Sequence, residues 1–224
     1  MKKILLGLFI LGTLGMAQSN YEVYVKSGVK ISQSGVDRDS KEIENIVNKM
    51  INDYETRDKK IMLEKSRIMF LRNVKKQNQN DEDYKNFNTK DKEFYDKYFE
   101  IAVNEMINSL NKISKYVPKS ISFIDKNIAK VEVIEILPNL ESSNGDDDVE
   151  RAIKKAGVTD EEMNNLEHIS DLSNQKKERF FKYLSEEIKK ELSETTEENR
   201  SLEFKKVSGK WQTKDKLYDL PESD

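Results

Sequence analysis

The chain of 224 residues holds 39 basic and 42 acidic side chains, a formal net charge of −3, and 36% of it is charged. It has no cysteine, which excludes disulfides, thiolate metal sites and a cysteine nucleophile. The mildly acidic balance, with no basic stripe of interleaved aromatics, argues against nucleic-acid binding, because that binding is driven by clustered Lys and Arg neutralising phosphates.

Lys2 and Lys3 precede an apolar run from Ile4 to Met16 that closes on Gly15-Met16-Ala17. This pattern predicts a cleavable secretory signal over 1–17, cut between Ala17 and Gln18. A membrane anchor needs roughly 20 apolar residues to cross the hydrocarbon core, and this run is several short. Without a cysteine no acyl chains can be attached, so the expected product is unlipidated, exported, and either periplasmic or secreted. Removal of the signal leaves 207 residues with 37 basic against 42 acidic side chains, and so a charge of −5. That length suits a short N-terminal strand or tail (18–35), one domain over 36–217, and a tail at 218–224.

Tyr21, Val23 and Val25 alternate at the start of 21–32, which predicts a strand or edge segment. Asp39 and Glu42 form an acid-x-x-Glu capping box ahead of Ile43, Ile46, Val47, Met50, Ile51 and Tyr54, an apolar face at helical spacing. Ile61, Ile68, Leu71 and Val74 either continue that helix or follow a break near Arg57-Asp58. Residues 77–88, rich in Asn and Asp, read as a loop. A helix from Thr89 carries Tyr95, Phe99, Ala102, Met106, Leu110 and Ile113 along one face, widened by Phe94, Tyr98 and Ile101, and Pro118 is expected to end it.

Past Pro118 the character changes. Ser120–Phe123, a turn at Asp125-Lys126-Asn127, and Ala129–Val133 extended by Ile134 and Ile136 read as a β-hairpin reaching Pro138. An acidic loop (139–148) leads to a short helix from Asp148 to Ala156 that ends at Gly157. Thr159 and Glu162 form a second capping box, and a longer helix at 175–193 carries Phe181, Leu184, Ile188 and Leu192. Leu202–Val207, a Ser208-Gly209 turn and Lys210–Thr213 make a final hairpin. Helices, hairpin, helices, hairpin is the order of an α+β domain, amphipathic helices on an antiparallel sheet, with a helical half at 40–115 and a hairpin-containing half at 116–217.

The segments 121–133 (ISFIDKNIAKVEV) and 202–212 (LEFKKVSGKWQ) resemble the two hairpins of nuclear-transport-factor-2-like domains in exported bacterial proteins, over about residues 90–215. The resemblance implies a cone-shaped sheet wrapped round a helix with an apolar pocket inside. Some members of that superfamily are isomerases or dehydratases using acids, tyrosines or histidines in the pocket, but no such motif matches here, and the implied function is binding. Tyr95, Phe99 and Trp211 are the expected pocket lining, with plain core packing as the alternative.

His168 is the single histidine and sits among Asn164, Asn165, Glu167 and Asp171, a surface setting. Asn144-Gly145-Asp146-Asp147-Asp148 with Glu150 looks like a calcium loop, but with Gly145 at the sixth position the first ligand would be Leu140 and the twelfth Arg151. Acids at a helix N-terminus are the preferred explanation of the run, with a weak cation site of another kind as the alternative. No cofactor, metal or catalytic residue is expected. The leading expectation is a soluble, exported, non-catalytic binding module for a small apolar ligand, a peptide or an envelope protein. The alternatives are a helical interaction or chaperone-like protein working through 40–115, and last an acid/base enzyme marked by a buried carboxylate of raised pKa.

Overall fold

The computed structural model describes residues 21–140 and 145–218; the predicted cleavage site at Ala17 and Gln18 and the tail beyond Tyr218 lie outside the described residues. The fold is α+β, as expected. Among the described residues five strands, β1 (Glu22–Val25), β2 (Lys115–Asp125), β3 (Ile128–Pro138), β4 (Thr195–Val207) and β5 (Lys210–Thr213), form one sheet in sequence order. Strands β2 to β5 pair antiparallel, while β1 joins β2 in parallel, with Val23 opposite Ile121 and Val25 opposite Phe123.

Helix α1 (Gln33–Asp53) crosses one face of this sheet. Its cap is Ser32, whose hydroxyl accepts from the Gly35 amide, so the capping box at Asp39 and Glu42 is not a helix start. Both acids instead bind the far hairpin. Buried Asp39 pairs with Lys206 at 2.7 Å, and Glu42 accepts the Trp211 backbone amide at 3.0 Å. Across the sheet, Ile121, Val131 and Leu202 lie side by side in register, as do Phe123, Ala129 and Phe204. These side chains and Trp211 close against Val36, Ile43, Val47 and Tyr54 of the helical stretch to make the first core. Alternation along each strand puts this apolar set on one face.

No break occurs near Arg57-Asp58. The chain stays helical through a π-type turn (Tyr54–Asp58) into α2 (Lys59–Asn80). One inserted residue per bulge re-aims the helix, and here Tyr54, Asp58 and Lys59 are all turned inward. The polar stretch expected as a loop is largely helical: α2 runs to Asn80 and is followed by α3 (Glu82–Asn86), capped by Asp81. Helix α4 (Thr89–Ile113), capped by Asn88, stops before Pro118, which lies inside β2. That proline sits where β2 has no partner on its β1 side, a position that tolerates a missing N–H.

Between β3 and β4 the chain makes α5 (Gly145–Lys155), α6 (Asp160–Asn165) and α7 (Asn174–Glu191). Thr159 caps α6 through the Glu162 amide, as the sequence predicts. Phe94 of α4, Ala152 of α5, Ala156 just beyond it, and Phe180, Phe181, Leu184 and Ile188 of α7 belong to a second core that draws on no strand. The β4–β5 turn is built from Ser208 (φ 51°) and Gly209 (φ 81°), two left-handed residues as a type I′ hairpin requires.

Candidate functional site

The three residues expected to line one pocket are not brought together. Trp211 is 2% exposed inside the sheet core, edge-on to Phe123 at 5.8 Å, with Lys206 over its ring at 5.4 Å. Its indole Nε1 has no hydrogen-bond partner among the described residues. Tyr95 and Phe99 belong instead to a ladder of rings at the α3–α4 turn, where Tyr84, Phe87 and Tyr95 follow one another at 5.8 and 4.8 Å and Tyr95 meets Phe99 at 6.4 Å. Clefts among the described residues lie elsewhere. One of about 250 Å³ lies between α4 and α7, lined by Lys90, Lys97, Lys177 and Phe181 among others, and one of about 390 Å³ lies by the β1 exit. Neither is lined by Tyr95, Phe99 or Trp211.

Three clusters of titratable side chains lie outside these clefts. At the joint of α1 and α2, Tyr116 donates to Glu135 at 2.8 Å, Glu135 is held by Arg200, and Tyr218 donates to Asp58. Burial and the Glu135 carboxylate push the Tyr116 hydroxyl far above its ordinary range. Arg57 and the Tyr218 hydroxyl hold Asp58 down to about 2, while burial and Asp58 push Tyr218 up to about 12. Every group is answered by a neighbour, so the cluster fastens the α1–α2 joint and the C-terminal segment to the sheet.

Between α5 and α7, Arg151 reaches Glu187 at 2.8 Å and also bonds Asp148 and Glu191, while Lys155 bonds Glu187. Burial, and then hydrogen bonding and charge repulsion from Glu191, push Asp148 up to about 6. Sequence reading names such a carboxylate as an enzyme's signature without identifying it. Asp148 falls in the acid run explained there by the helix N-terminus, and it does lie in the first turn of α5. Neither cleft reaches it.

The third cluster contains His168. Its Nδ1 lies 3.4 Å from Asp91 Oδ2, and Ser170 donates to the other Asp91 oxygen. Serine and histidine thus share the carboxylate without being bonded to each other, which is not the chain of a nucleophile, base and orienting acid. Asp91 ties the 3₁₀ turn Ile169–Asp171 to the start of α4. Among the described residues no three His, Cys, Asp or Glu side chains are grouped to hold a metal ion.

What remains is surface. Of six large hydrophobic side chains exposed among the described residues, four lie on the α2–α3–α4 hairpin: Ile61 (43% exposed), Ile68 (60%), Met69 (43%) and Tyr95 (38%). Arg67 fastens α2 to α4 through Asn104 at 2.8 Å, so the residues opposite it on α2 turn outward. Helix α2 also holds seven basic residues and one acidic residue, a net of +6 in a chain of net −3. A whole-chain average hides this local excess. No helix among the described residues is long and apolar enough to cross a membrane. No family model, curated protein or solved structure matches the chain.

Proposed function

We propose that this chain is an exported, non-catalytic binding module of the cell envelope, and that it binds through the outer surface of its α2–α4 hairpin. The observation that carries the reading is the concentration of exposed apolar side chains on that hairpin, beside a sheet core that is closed around Trp211. Ile61, Ile68 and Met69 share one face of α2 among basic side chains, and a clustered apolar patch rimmed by charge is a recurrent mark of interaction surfaces. Export is proposed from the charged, then apolar, then small-residue pattern of 1–17. The two hairpins keep the nuclear-transport-factor-2-like superfamily as the proposed kinship, although the aromatic residues chosen for its pocket are split between the sheet core and the hairpin surface. That division favours a counterpart held at the surface over a small molecule enclosed within the domain.

Oxidative footprinting tests this. Met69 and Tyr95 should be modified readily in the purified protein and be protected in the intact exported fraction, while half-buried Tyr24 and Met163, away from the hairpin, change little. Equal modification of Met69 and Tyr95 in both states would remove the hairpin from the account.

A further inference from the structure

The outward face of α2 has a composition that narrows the counterpart. At 3.6 residues per turn, Ile61, Lys65, Ile68, Met69, Arg72, Lys75 and Lys76 fall within an arc of about 120°. No acidic residue shares the arc, since Glu64, the single acid of the helix, falls outside it. From Ile61 to Lys76 the face runs about 22 Å. Lys65, Lys75 and Lys76 have no ion-pair partner among the described residues, whereas Lys59 and Arg67, on other faces of the helix, are paired with Glu55 and Glu100. The inward side carries Leu63 and Phe70.

We infer that this face docks on an anionic phospholipid surface, with Ile61, Ile68 and Met69 dipping into the headgroup boundary and the lysines meeting lipid phosphates. The inference rests on the reading of the hairpin as the working surface and names its counterpart. Charge complementarity is the first argument: the strongest local positive charge in an acidic protein lies on an uncovered helix face that also exposes aliphatic side chains. Residue choice is the second. Lysine is depleted from protein–protein interfaces, whose binding energy concentrates in Trp, Tyr and Arg anchors. Lysine is attracted to anionic leaflets, and its long apolar stem lets the ammonium reach the phosphates while the backbone stays near the boundary. Geometry is the third. A convex helix face needs a groove in a protein partner, but a flat bilayer takes it as it is.

The test uses residues 18–224, which contain every described element and leave out the apolar 4–16 run that would bind vesicles by itself. Co-sedimentation is measured with vesicles of phosphatidylglycerol and phosphatidylethanolamine in equal parts, and with pure phosphatidylcholine. The expected result is binding to the anionic vesicles alone, weakening steeply as salt is raised. The variant Lys65→Glu, Lys75→Glu, Lys76→Glu should lose roughly a hundredfold, about fivefold for each lysine taken from the surface. Ile61→Ser with Ile68→Ser should weaken binding while keeping its salt dependence. All these positions are at or near the surface, and an unchanged circular-dichroism melt verifies that the variants fold. Equal binding to both vesicle types, or an unchanged affinity in the triple Lys→Glu variant, would overturn the inference. So would failure to bind vesicles together with tight binding of polyglutamate or single-stranded DNA, which would assign the face to an acidic macromolecule. If Met69 and Tyr95 are protected in the exported fraction and no vesicle binding is found, the hairpin reading stands and the lipid counterpart falls.

Discussion

Trp211→Ala separates a core tryptophan from a ligand-lining one. The ring is buried in the sheet core, edge-on to Phe123 and beneath the Lys206 ammonium. Emptying such a site loses the transfer energy of the ring and leaves a cavity, together about 3–5 kcal/mol. Trp211→Phe makes a sharper comparison. It keeps most of the apolar volume and removes an indole N–H that is buried without a partner among the described residues, and an orphaned donor costs about 1–3 kcal/mol. These opposed terms should leave the Phe variant within about 1.5 kcal/mol of the parent. Urea unfolding followed by far-ultraviolet circular dichroism measures both, since the chain has a single tryptophan and the variants lose its fluorescence. In the parent that one residue should emit at short wavelength and resist acrylamide. A loss below about 1 kcal/mol for Trp211→Ala would refute the reasoning and return the residue to a solvent-open site.

Asp39→Ala should cost roughly 3 kcal/mol in the same assay, because it strands the largely buried Lys206 ammonium and loosens α1 from the β4–β5 hairpin. Asp148 has a folded pKa of about 6 against an ordinary 3.8, so its protonated form is favoured by folding; its stabilising contribution is complete below about pH 4 and is lost as pH rises through 6. Asp148→Asn should therefore flatten the stability profile across that window and raise stability at neutral pH by up to about 2 kcal/mol, and an unflattened profile from urea titrations at several pH values would count against the Glu191 contact. Gly209→Ala should destabilise by about 1 kcal/mol or more, since φ is 81° there, whereas Ser208→Asn should gain a few tenths, both read from thermal melts.

Much of the fold is legible in the sequence because burial imposes a period. Ile43, Val47 and Tyr54 face the sheet as their spacing predicts, and the strand alternation of 121–133 is the alternation of the first core. The misreadings fall where burial is weak. Helix α1 begins at Gln33, six residues before the expected box, because its first turns carry almost no apolar period and Ser32 supplies the cap. Residues 77–80 and 82–86 form largely exposed helix that their Asn and Asp content disguises as loop. The outer part of β4, Thr195–Asn199, is polar and exposed on both sides, so nothing in its pattern marks a strand. Pro118 looks like a helix stop because a sequence cannot say that one edge of β2 is free there.

The candidate surface was half legible. Seven basic residues within 59–76 are countable in the sequence, as is Ile61-to-Ile68 spacing. That this side is the one left uncovered depends on where α4 packs, which is a tertiary fact. The division between Trp211 and Tyr95 is of the same kind, since aromatics on a strand and on a helix look alike until the two cores separate them.

Native mass spectrometry of the protein expressed with residues 1–17 and recovered from the compartment where it accumulates tests most directly whether binding occurs at the surface. The account predicts the bare mass of the polypeptide, because a counterpart held on an open helix face dissociates during purification. A small molecule retained in stoichiometric amount would mean that the domain encloses its ligand, and would contradict the account.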